Sequence, residues 1–432
     1  MKKRSGFTLG SIAMLIITAF VLSSFFILLQ KITKNVDIHL NAKELAVHVD
    51  NTLESWVYDA SAVQDTTPPH RPIARMQIEA TATVPPQPTQ APHTRLSLSV
   101  VGNIRLDATT LQNLTDDGTP NFSILFDSLG DALKADISLA TLAHTVSHAH
   151  NITNRNMPDS LLPALHEAGL RQISLLHYDL FTSGLQGLAN TKTAMRNVGL
   201  YPYGAYETQD AYADTPIEDI QGVKVAFLGF QSEMSGASKY NVNADILAYA
   251  LPALQLPTIK HEIQRVKAQG AEIVVVSLCW GALDGNAPTN TQKQLAQDIA
   301  NAGADIIIGT HPNALQTVDM LSAKREDGQY HPVLCAYSMG NFFSHDRSTR
   351  DRLSSVILQC DIWVDKETKK IAFDQMAYLP TYVWRGREDG VLRQRILLNQ
   401  QPYPLYVDKT QQEIMGRSLA TVEAVMQNSS FR

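Results

Sequence analysis

The sequence predicts an α/β domain beginning near Arg95, and two observations carry that expectation. From there on, short apolar runs alternate with amphipathic stretches, the pattern of strands covered by helices. Several runs, Val223 to Phe230 and Ile273 to Leu278 among them, are apolar at nearly every position, as strands buried on both faces are.

Element by element, Leu96 to Leu106 alternates around Val100 and Val101 and reads as the first strand, with Ala135 to Leu142 the second. Ser160 to Ala168 reads as a capped helix ending at Gly169. Gln172 to Leu176 follows as a strand and Gly187 to Val198 as a helix. After the strand Val223 to Phe230 come a helix, Ile259 to Ala268, closed by Gly270, and the strand Ile273 to Leu278. Thr291 to Ala302 reads as a helix closed by Gly303. Ile306 to Ile308, Val333 to Tyr337 and Ser355 to Val364 are strands, and Thr410 to Gln427 a terminal helix.

With 432 residues, 44% hydrophobic and 18% charged, the chain is long enough and apolar enough for a large packed core plus appendages. The formal net charge is -6, with no basic run beyond the N-terminus, which argues against nucleic acid as a partner, since neutralising phosphates needs clustered Lys and Arg. Cys279, Cys335 and Cys360 all lie in apolar runs and read as buried thiols rather than a disulfide framework, with one disulfide pair left open.

The N-terminal region reads as a membrane anchor. Lys2, Lys3 and Arg4 precede a charge-free stretch from Ser5 to Gln30, and about twenty apolar residues in a helix span a bilayer. The apolar run continues past Ser23 and Ser24, which favours an uncleaved anchor over a cleaved signal peptide. The expected organisation is a cytoplasmic N-terminus (1–8), a transmembrane anchor (9–30) and a polar, proline-rich stalk (31–94). A main domain (95–385) and a C-terminal extension with a helix (386–432) follow. The expectation is a single-pass protein of the cell membrane with its main domain extracytoplasmic.

Chemistry in α/β domains gathers at the carboxyl ends of strands. Three such places stand out: Cys279-Trp280-Gly281, Gly309-Thr310-His311-Pro312-Asn313 and Ser338-Met339-Gly340-Asn341-Phe342. Together with Pro288-Thr289, Gln292, Gln294 and Gly303-Ala304-Asp305, they resemble in order and spacing the motifs of the CapA, or PGA_cap, family of capsule and poly-γ-glutamate synthesis. Upstream, Val101-Gly102-Asn103-Ile104, Ala168-Gly169 through Ser174-Leu175, and Tyr203-Gly204-Ala205 extend the resemblance to about residues 96 to 385. It implies a metallophosphatase-like fold with four layers, α/β/β/α.

The departures from that pattern fall on its metal ligands. Asn103 stands where the family carries a carboxylate, and Thr141-Leu142-Ala143 where it has Asn-Leu-Glu. His177-Tyr178-Asp179 replaces Asn-Asn-His, and Cys279 replaces the His of His-Trp-Gly. In the last motif Thr310 and Asn313 replace the neighbours of His311. A two-metal phosphoesterase centre clamps the attacking and leaving oxygens and needs anionic or strong σ-donor ligands. An amide and a methyl do not supply them, and each tenfold loss of affinity is about 1.4 kcal/mol. The expectation is a degenerate site without a cofactor, with Asn103, Trp280, Asn313 and Asn341 lining a polar cleft. The alternative is a mixed N, O and S site for a divalent metal, zinc or manganese, built from His177, Asp179, Cys279 and His311. In that case His311 and Asp179 are the catalytic candidates. His144, His148 and His150 do not share a helical face and read as a polar loop.

Three functions remain open. One is a non-hydrolytic capsule-associated protein that binds an anionic polymer or a polymer-synthase partner. Another is a metal-dependent hydrolase with a rebuilt site, and the third is a cell-envelope interaction protein without catalysis.

Overall fold

A computed structural model describes residues 93–116, 119–148, 156–177, 180–232, 242–325 and 328–431. The expected anchor and nearly all of the stalk lie outside the described residues. Among the described residues no helix is long and apolar enough to cross a membrane.

Along the chain the strands are β1 (His93–Arg105), β2 (Thr115–Asp116), β3 (Thr119–Pro120), β4 (Ile137–Leu142), β5 (Thr145–Ser147), β6 (Asn156–Pro158), β7 (Gln172–Ser174), β8 (Tyr201–Tyr203) and β9 (Ile217–Ile220). They continue as β10 (Val223–Gln231), β11 (Ile273–Cys279), β12 (Ile306–Thr310), β13 (Val318–Lys324), β14 (Tyr330–Ala336), β15 (Asn341–Ser344), β16 (Ser354–Asp365), β17 (Ile371–Glu388) and β18 (Val391–Leu398). The helices are α1 (Ala108–Asn113), α2 (Leu161–Glu167), α3 (Gly184–Asn197), α4 (Gln209–Ala213), α5 (Ala244–Ala250), α6 (Leu256–Ala268), α7 (Asn290–Asn301) and α8 (Lys409–Gln427).

Two large mixed sheets form. The first runs β18-β17-β16-β1-β4-β7-β8, with β15 also paired to β1; the second runs β13-β14-β12-β11-β10-β9. Residue parity along each strand decides what lies on either face, because successive side chains of a strand point to opposite sides. In β1, Leu96, Leu98 and Val100 enter one apolar core shared with Val225 and Phe227 of β10 and Ile273 and Val275 of β11. That core lies between the sheets. The opposite parity of the second sheet, with Ala226, Leu228, Val274, Val276 and Ile307, packs on Ile259, Ile263 and Val266 of α6 and Ile299 of α7. The outer face of the first sheet packs on Leu161 and Leu165 of α2 and Leu188 and Met195 of α3. The layers are therefore helices, sheet, sheet, helices. The continuous apolar runs are strands with both faces covered, and burying one such Val or Ile side chain contributes roughly 1.5–3 kcal/mol.

Local signals set the helix ends. Thr289 accepts from the Gln292 backbone N–H at 3.2 Å, while the Gln292 side chain accepts from the Thr289 N–H at 3.1 Å, a reciprocal cap that starts α7. Gly303 ends it with φ of +117°, a conformation costly for any residue with a Cβ. The expected cap of α2 differs: Ser160 has helical φ/ψ and its side chain makes no capping hydrogen bond.

The expected boundary at 385/386 falls inside β17, and β18 pairs along its length from Thr381 to Glu388. Residues 386–398 thus complete the first sheet rather than append to it. Helix α8 places Val422 and Met426 in the core between the sheets. The long strand β17 is half-exposed over much of its length, so it lacks the apolar run that marks its neighbours in sequence.

Candidate functional site

The parallel strands β1, β4 and β7 of the first sheet and β10, β11 and β12 of the second end on their respective polar loops. Asn103 lies near the end of β1, His144 just after β4, His177 just after β7, Cys279 at the end of β11, Thr310 at the end of β12 and Asn341 at the start of β15.

A neutral hydrogen-bonded chain joins the two sheets here. The Asn103 side-chain carbonyl accepts from the Thr310 hydroxyl, and its amide donates to Asn341 Oδ1 at 3.4 Å. The Asn341 amide in turn donates to the Arg352 carbonyl at 3.3 Å. The Asn103 backbone N–H donates to Gly340 O at 2.9 Å, fixing β1 against the loop before β15. Asn103 and Asn341 are both buried, so these bonds form away from water and each is worth about 1 kcal/mol net.

Burial disfavours the charged form of the three histidines here, His144, His177 and His311. His144 is fully buried, and neither ring nitrogen makes a well-formed hydrogen bond. Its ring centroid stands 6.1 Å from that of His177. Burial first, and then the Arg105 guanidinium and His345, push the His144 pKa down to about 3, with the Leu106 carbonyl opposing. His177 lies well below the usual imidazole range through burial, then His144, Arg105 and His311. His311 is lowered by burial, against the pull of Asp284, and sits at φ of +94°, a strained backbone for a residue with a side chain.

A group whose folded pKa lies below its unfolded value costs stability once the unfolded chain binds the proton and the folded chain does not. For His144 that window runs from about 6.5 down to about 3. Stability is therefore expected to be full above pH 6.5 and to fall with acidification by up to about 1.4 kcal/mol per pH unit from this histidine. His144→Leu is expected to flatten that slope in urea titrations between pH 4 and pH 7; an unchanged slope refutes a buried neutral imidazole.

Among the described residues no three His, Cys, Asp or Glu side chains come together in an arrangement able to hold a metal. At the position of the first expected carboxylate, the Asn103 amide is spent on Thr310 and Asn341. Asp179, a catalytic candidate and a member of the alternative zinc set, lies outside the described residues.

The other expected site residues divide by strand parity. Cys279 shares the inward parity of Ile273 and Val275, is buried and forms no disulfide. Trp280 has the opposite parity and does not line the cleft: it is buried in the helix-facing core, stacked on Tyr337 with centroids 6.1 Å apart. Its indole N–H donates to the Tyr337 carbonyl at 2.9 Å. Asn313 is half-buried and ties its loop to Leu283 O through its backbone N–H at 2.9 Å. Cys335 and Cys360 are also buried and form no disulfide.

Sequence reasoning placed His144 in a polar loop with His148 and His150. Only His148 fits that reading, exposed and beside Asp159, while His150 lies outside the described residues. The helical spacing tested there was the wrong frame, because the chain is extended at β5. The usable signal was the position of His144, directly after the missing acid at Ala143.

Two sheets packed face to face and covered by helices, with the Asn103, Thr310 and Asn341 side chains joined between their strand ends, define a layered α/β protein. The chain belongs to the family described as bacterial capsule synthesis protein PGA_cap, which matches residues 97–346, more than half of its length. It is 28% identical over 207 residues to the capsule biosynthesis protein CapA of Bacillus anthracis, covering 46% of each chain. It is 31% identical over 176 residues to the PGA biosynthesis protein CapA of Bacillus subtilis (strain 168), covering 40% of this chain and 42% of that one. The matches thus span less than half the length of these curated relatives. Among solved structures, the calcineurin-like phosphoesterase YfkN from Bacillus subtilis is similar at a TM-score of 0.39 and 12% identity, covering 77% of this chain and 99% of that one. Superposition this loose has no bearing on function.

Proposed function

We propose that this protein serves capsule or poly-γ-glutamate-type polymer synthesis by binding an anionic polymer in the strand-end cleft, without metal-dependent hydrolysis. Membership of the PGA_cap family and the curated CapA relatives support the tie to capsule. The observation that carries the absence of hydrolysis is the Asn103 amide, bonded to Thr310 and Asn341 in place of the expected carboxylate. A bridge of amide and hydroxyl holds no net charge, so it has little to offer a divalent cation. The Arg105 guanidinium, close enough to depress both His144 and His177, supplies the positive potential that favours a polyanion. In this reading residues 9–30 anchor the chain in the cell membrane and the domain works outside it, where a polymer-synthase partner would sit.

The full chain, purified in detergent, is expected to carry far less than one equivalent of zinc or manganese. It is expected not to hydrolyse bis(p-nitrophenyl) phosphate with either metal added, and to retain poly-γ-glutamate but not dextran. Metal-dependent turnover that is lost in both His311→Ala and Cys279→Ala would replace this reading with a hydrolase having a rebuilt site. Failure to retain the polyanion removes the binding role.

A further inference from the structure

The second sheet has an opposite end, and a cavity of about 380 Å³ opens there. Glu272 and Asp305 mark the entries of β11 and β12, whose exits carry Cys279 and Thr310. Seven strand residues at about 3.3 Å each put roughly 20 Å between this cavity and the cleft. Its wall has two sources: the turn from β16 to β17 in the first sheet, with Lys369 and Lys370, and the segments before β11 and around β14 in the second, with Lys267 and Arg325.

Among the described residues the charges of this cavity do not cancel. Arg325 donates to Asp305 Oδ1 at 2.7 Å and to the Ala304 carbonyl at 2.8 Å, but its Nε is buried with no hydrogen-bond partner among the described residues. Lys267 Nζ stands 3.9 Å from Asp305 Oδ2, beyond hydrogen-bond reach. Lys369 pairs with Glu272, which leaves exposed Lys370 with no acid of its own among the described residues. Among the described residues of its wall, two acids thus face four Lys and Arg side chains. A buried guanidinium N–H without an acceptor is costly, and an oxyanion relieves that cost while meeting two ammonium groups. Burial, outweighing the pull of Asp305, lowers the Lys267 pKa, the direction expected of an ammonium short of acceptors.

We infer that this cavity is a second anion site, taking a carboxylate or a phosphate group between Lys267, Arg325 and Lys370. It is separate from the strand-end cleft and independent of what that cleft binds.

The test is calorimetric titration of the full chain with inorganic phosphate and, separately, with glutarate at constant ionic strength. A saturable isotherm is expected for at least one of them, and which one binds tells a phosphate source from a carboxylate source. The double variant Lys267→Met/Lys370→Met is expected to weaken binding tenfold or more with an unchanged melting temperature in the absence of ligand. His144→Leu, in the cleft, is expected to leave binding as it is. No saturable heat with either anion overturns the inference, as does equal binding by the double variant. Loss of binding in His144→Leu alone assigns the anion to the cleft and also overturns it.

Discussion

Gly309→Ala is expected to destabilise the fold by about 3 kcal/mol or more, measured as a lowered urea midpoint. A Cβ at this position falls on top of the Tyr337 carbonyl oxygen and 2.5 Å from Trp280 Nε1. Those two atoms are partners in a 2.9 Å hydrogen bond inside the helix-facing core. Neither has room to retreat: Tyr337 continues β14, which is paired to β12 through Ile307 and Cys335, and Trp280 is packed at 2% exposure. The added methyl must therefore either part β12 from the segment after β14 or eject the indole, and tightly packed cores absorb neither cheaply. A loss under about 1 kcal/mol would show that the strands part without cost.

Asp305→Ala is expected to cost about 3 kcal/mol, because a buried carboxylate here has several partners that lose it together. Its Oδ2 accepts from the Val274 backbone N–H at 2.8 Å, and its Oδ1 from Arg325 at 2.7 Å. Alanine leaves the Val274 N–H, the Arg325 guanidinium and the nearby Lys267 without it. Asp305→Asn keeps an acceptor for Val274 and gives up the charge, so a smaller loss is expected. Equal costs for the two variants in urea unfolding would mean that the charge pairing, not the backbone bond, carries the whole effect. Gly303-Ala304-Asp305 is on this account a structural motif: the glycine turns the chain out of α7 and the aspartate ties the start of β12 to β11.

These two residues also show how far the sequence could be read. Gly309 and Asp305 were visible as members of a spaced motif set, and that set placed the chain in its family. What each does was invisible, since the Gly309 contact involves residues 28 and 29 positions away in either direction and the Arg325 partner of Asp305 was in no motif. The substitutions Asn103 and Ala143 were equally plain, because the loss of an acid is a matter of residue type. His144 was missed because its burial comes from a fold around it, not from its own neighbours in the chain.

The chain alone determined the alternation of strands and helices, most helix ends, the family and the absence of carboxylates at two expected ligand positions. These are local properties: apolar period, caps, glycines with positive φ, and side-chain chemistry. Only the tertiary structure decided that Trp280 packs into the helix-facing core while Cys279 has the opposite parity, and that residues 386–398 finish a sheet. It alone put Lys267, Arg325 and Lys370, three residues on separate segments, around one cavity. Such facts depend on which strands pair and which faces meet, and pairing brings together residues whose separation in sequence carries no signal.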